Sequence, residues 1–142
     1  MLQKILKNDQ SKTTILIRLM VGTVFLSEGI QKFLFPALRG AGRFKKIGLY
    51  NPDFLDCFVG TIEILCGILI LIGFLTRVSS TLTLVIMLVA IATTKSELIE
   101  TSGFWTMMHA SRTDWAMLLG SVFLIFKGSG LWSLDNKIYK IE

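Results

Sequence analysis

The run Leu55 to Leu75, LDCFVGTIEILCGILILIGFL, constrains this chain more than any other. It is long enough to cross a bilayer as a helix, which takes ~20 apolar residues. Yet it carries a carboxylate, Glu63, near its middle. On a helical wheel at ~100° per residue, Asp56, Gly60, Gly67, Ile70 and Phe74 share the Glu63 stripe. Leucine, isoleucine and valine cover the rest. An acid facing lipid is costly, so Glu63 is expected to face a neighbouring helix. Gly60 and Gly67 would let that helix's backbone come close. Two roles stay open for Glu63: one half of an ion pair pinning two helices, or part of a site for substrate, proton or quinone.

Three further apolar runs accompany this one, giving helices at about 15–35, 55–75, 78–94 and 113–127. With 52% hydrophobic and 18% charged residues, the 142-residue chain reads as an all-α integral membrane protein. The expected fold is a single-domain four-helix bundle over 1–142, with short interfacial segments in the two long connections. The net charge of +5 suits helix ends that touch lipid phosphates. No nucleic-acid motif accompanies it, and nucleic acid is not expected as a partner. The polar start, with Lys4, Lys7 and Lys12, reads as an uncleaved cytoplasmic tail, because the apolar run after it is too long for a signal peptide and is broken by charges.

The first helix carries Arg18, Glu28 and Lys32 within about 80° of one another, together with Phe25 and Gly29. Three charges offset most of the insertion energy of its apolar residues, so this helix depends on partners for its charged stripe. Pro36 stops it. Arg39, Arg43, Lys45 and Lys46 then alternate with apolar residues, as a short helix on the headgroups or a basic loop would. Asn51-Pro52-Asp53 opens the second helix. Thr76-Arg77 alone separates it from the third, making the two antiparallel neighbours. The third is uncharged and reads as scaffold. A second long connection, 95–112, holds Phe104, Trp105 and the only histidine, His109. A hydrogen-bonded structural role and a ligand role both stay open for His109. Thr113-Asp114 caps a fourth helix short for a span.

Depth along the helices brings four charges into the half of the bundle facing the long connections. Glu28 lies ~10 Å, Glu63 ~12 Å and Lys32 ~5 Å below that surface, and Arg112 is carried in by the fourth helix. With His109 at the rim, these residues form the expected polar pocket; Arg18 should stand apart near the opposite face. Their formal charges sum to zero, which lowers the cost of burying them. Cys57 and Cys66, ~13 Å apart along one helix, cannot join each other in a disulfide. Replacing both with serine should leave fold and activity nearly intact. One histidine and no clustered cysteines argue against a zinc site or a bis-histidine haem, so no intrinsic cofactor or metal is expected. No Walker loop, GxGxxG or HExxH motif is present.

Three stretches carry a resemblance. RLMVGTVFLSEGIQKF (Arg18 to Phe33), VGTIEILCGILILIGFLTR (Val59 to Arg77) and HASRTDWAMLLGSVFLIFKGSGLWSLD (His109 to Asp135) resemble, in order and spacing, helices of the DoxX family of small four-helix bacterial membrane proteins. The resemblance implies an inner-membrane protein. It also implies a link to respiratory quinone reduction, as in a subunit of thiosulfate:quinone oxidoreductase, or to membrane complexes that handle oxidative stress. It assigns no catalytic residue. Any electrons would pass to a bound quinone or a partner redox protein's cofactor. The expected function is a quinone-linked subunit of a membrane redox complex, working with a partner redox protein or as a homo-oligomer. A small-solute permease and a purely structural assembly subunit are the alternatives. Lysine and arginine counts give a narrow excess to the terminal side, so both termini are expected in the cytoplasm.

Overall fold

The computed structural model describes residues 11–48 and 50–139. Among the described residues seven helices follow one another: α1 (Thr14–Leu34), α2 (Ala41–Lys46), α3 (Pro52–Ile72), α4 (Thr76–Ser102), α5 (Phe104–Ala110), α6 (Arg112–Lys127) and α7 (Leu134–Tyr139). Among the described residues three helices, α1, α3 and α4, are long and apolar enough to cross a membrane. The fourth long helix, α6, has 16 residues, or ~24 Å, against a ~30 Å hydrocarbon core. The protein is an all-helical membrane protein.

The four long helices form a ring in which α1 packs on α3, α3 on α4, α4 on α6 and α6 back on α1. The contact between α1 and α3 is the most extensive. It is antiparallel, and glycines set its spacing. Gly22 of α1 lies opposite Gly67 of α3, and Gly29 lies opposite Gly60. A Cβ on Gly29 would sit 2.8 Å from the Gly60 carbonyl oxygen and 2.9 Å from the Ile64 nitrogen, so the two backbones touch there.

The apolar core, Val21, Phe25, Ile70, Met117 and Leu124, fills the half of the ring nearer the termini. There α4 approaches through small hydroxyl residues. Thr76, Ser79, Ser80 and Thr83 are buried, and Thr83 Oγ1 and Ser121 Oγ share a 3.1 Å hydrogen bond with α6. Beyond Thr83 no residue of α4 is buried. Lys95 holds that distal half to its neighbours, through a 2.9 Å ion pair with Asp114 and a hydrogen bond to the Ala110 carbonyl.

The third long helix runs to Ser102, well past the expected end near Thr94. The polar residues from Lys95 onward read as loop, yet Ser96 and Thr101, like Thr93 and Thr94 before them, each return their hydroxyl to the carbonyl four residues back. Those bonds let polar side chains ride on a continuing helix. The basic segment after Pro36 does contain a short helix, α2, with Arg43, Lys45 and Lys46 in its last turn.

Candidate functional site

The most buried charges cluster at the two ends of the α1–α3 seam. Toward the long connections, Lys32 of α1 donates to Glu63 Oε2 of α3 at 2.5 Å. Both residues are under a tenth exposed. The glycine pair explains the encounter. With no side chain at Gly60, the stem of Lys32 lies against α3, its Cβ 3.5 Å from where a Cβ of Gly60 would stand. The ammonium then reaches the carboxylate one turn further along α3.

Glu28, half-buried one turn away on α1, adds its negative charge to the surroundings of Glu63. So does Asp56, which lies on the same stripe of α3 and is 6% exposed. The structure does not carry Arg112 inward. Arg112 and His109 are both exposed, at the start of α6 and the end of α5. A helix break at Ser111 separates them, and that residue's backbone and hydroxyl bond back to Met107. The buried charges therefore come from two helices, and carboxylates outnumber the lysine. Asp56 is the residue that sequence reasoning passed over. It shares the wheel stripe of Glu63, which is the signal that could have found it.

At the other end of the seam Arg18 is 2% exposed. Its position far from Lys32 is as expected, ~21 Å along α1, but its surroundings are not those of an isolated charge. Its guanidinium donates to four carbonyls: Ile70 at 2.9 Å and Leu71 at 2.5 Å, ending α3, and Ser129 at 3.1 Å and Trp132 at 2.5 Å, in the segment after α6. Asp135 completes this hub. Buried, it accepts from the backbone N–H of Leu75 at 2.7 Å and of Thr76 at 3.1 Å, capping α4 from a distant part of the chain. Leu75 has φ 47°, a left-handed conformation that a bulky residue rarely adopts. Gly73, at φ 70°, leaves no room for a side chain: a Cβ would lie 2.5 Å from Ser133 Cβ and 2.7 Å from Arg18 Cζ. The Arg18 guanidinium and the Asp135 carboxylate are both spent on backbone groups, which marks the hub as architecture.

The family model described as DoxX matches residues 13–96, which include Arg18, Lys32, Asp56 and Glu63. The chain belongs to the DoxX family. It is 46% identical over 143 residues to the "Uncharacterized membrane protein Rv3486" of Mycobacterium tuberculosis, covering 96% of this chain and 88% of that protein. It is 30% identical over 128 residues to the "Putative oxidoreductase CatD" of Bacillus subtilis, covering 89% of this chain and 87% of that one. No solved structure matches. Both cysteines of this DoxX protein are free, Cys57 exposed and Cys66 buried.

Proposed function

We propose that this DoxX protein is a quinone-linked subunit of a membrane redox complex, in which Lys32 and Glu63 handle the proton that accompanies quinone chemistry. The observation that carries the reading is the buried Lys32–Glu63 pair at 2.5 Å, set between two membrane-spanning helices. Likeness to a relative named as an oxidoreductase supports the redox setting. An ammonium group has three donors, and Glu63 engages one of them. Lys32 thus keeps donors for a quinone carbonyl oxygen, and Glu63 offers an acceptor for a hydroxyl proton. The residues present therefore fit a quinone head group. When bound, the quinone would supply the electron-accepting chemistry. The chain's own residues orient it and move a proton at Glu63. Exposed His109 and Arg112 stand outside this pair, so the reading rests on Lys32 and Glu63.

The complex is placed in the inner membrane with both termini in the cytoplasm, and a partner redox protein or a second copy supplies the remaining redox machinery. A reporter fused after Glu142 that is active only in the periplasm would reverse the orientation. The function is tested by purifying the protein in mild detergent and extracting its lipids. Co-purifying quinone, lost in Glu63→Gln while assembly is unchanged, is the expected result. Glu63→Gln that abolishes assembly itself would make the pair a structural pin. Solute-dependent thermal stabilisation with no quinone would favour a permease.

A further inference from the structure

The short helix α2 lacks the support that the long helices give one another. It has six residues and none of them is buried. A helix this short is marginal in water by itself. One end is tied down: Gly40, just before it, is buried, and a Cβ there would overlap the Asp56 carboxylate of α3. The rest of α2 turns its side chains outward, and its charge is one-sided. Arg39, Arg43, Lys45 and Lys46 are all exposed or half-buried. Lys45 lies 3.9 Å from Asp53, and both side chains of that pair are mostly exposed. Among the described residues Arg39, Arg43 and Lys46 have no carboxylate within ion-pair distance. Arg43 and Lys46 are three residues apart and so share a side of α2. The neighbouring surface is apolar. Leu38 is 76% exposed, and Phe54 and Phe58, in the first two turns of α3, stack with ring centroids 6.0 Å apart, both exposed. The cations therefore stand where helices leave the bilayer, beside bare aromatic rings that run down α3 into it.

We propose that α2 and the turn before it form a docking site for anionic phospholipid. Arg39, Arg43 and Lys46 hold the phosphates, and Leu38, Phe54 and Phe58 lie along the upper acyl chains. The lipid thereby supplies the support that α2 lacks. A zwitterionic lipid carries its own ammonium, so the patch selects lipids of net negative charge. A second copy of the chain is the competing occupant, through Glu97 and Glu100, exposed near the end of α4 on the same side. Lipid phosphates already surround the helix ends at this level, in large excess over any second copy, and mass action favours them.

The test places the full chain in nanodiscs of phosphatidylcholine alone or of an equal mixture with phosphatidylglycerol. Native mass spectrometry counts the lipids retained through mild detergent, and amide exchange is followed over 37–48. Phosphatidylglycerol should be retained beyond its share, and the α2 amides should exchange more slowly in its presence. In Arg39→Gln, Arg43→Gln and Lys46→Gln that excess should fall about fivefold each, the equivalent of ~1 kcal/mol per basic residue near an anionic surface. Retention in proportion to the mixture, unchanged retention in all three variants, or displacement of the lipid by inorganic phosphate at constant ionic strength would each overturn the proposal. Slow exchange that follows protein concentration in place of phosphatidylglycerol would do so too, and would give the site to a second copy. The wild-type measurements need no variant to fold, and none of them depends on quinone.

Discussion

Lys32 and Glu63 are coupled partners, and single substitutions should show it. Removing one member of a buried ion pair strands the other, at a cost of about 3–5 kcal/mol. Lys32→Met should therefore sharply lower the detergent melting temperature. Lys32→Met combined with Glu63→Leu should recover most of the loss, since a well-packed apolar pair is often neutral or stabilising. A double variant as unstable as the single one would mean that the pair is not the main contact of either residue. The first-helix stripe, the buried Glu63 and its glycine neighbours were legible as a wheel pattern. The partner choice was not. Arg112 and Lys32 are interchangeable as cations in a sequence, and it is the structure that leaves Arg112 exposed at the first residue of α6.

At the scale of elements, the α1–α3 seam depends on two backbones in contact. Gly29→Ala would push a methyl group into the backbone of α3, whereas Gly60→Ala would first meet the ring of Phe33, a side chain that can move. Both are overpacked, at about 1–3 kcal/mol, and Gly29→Ala should lie at the upper end. Thermal unfolding of the two variants side by side checks this, and equal losses would mean that the seam can separate freely. The spacing of Gly60 and Gly67 makes a close approach legible in the sequence, because glycines two turns apart share a face. The length of α4 was not legible. Whether a threonine bonds back to its own helix or opens a loop depends on context beyond the local sequence.

Across the whole molecule, the Arg18 hub ties the start of α1, the turn between α3 and α4 and the segment after α6 into one knot. A chain ending at Lys127 lacks the Ser129 and Trp132 carbonyls and the Asp135 cap. It should still form its spanning helices but melt far below the full-length protein. Asp135→Ala alone should cost about 2–3 kcal/mol by stranding two backbone donors. Unchanged melting in both variants would show that the bundle closes without the hub. This hub was the least legible part. Arg18 was visible as a charge, but its acceptors are backbone carbonyls, which no side-chain pattern announces. The knot also sets a timetable for synthesis. Arg18 enters the membrane 111 residues before Ser129 is made. At ~5–20 residues per second, that guanidinium waits roughly 6–22 s for its last acceptors. During that interval the nascent first helix carries an unmatched charge, a state that a membrane insertase or quality-control protease can read, and only completion of the C-terminal segment ends it.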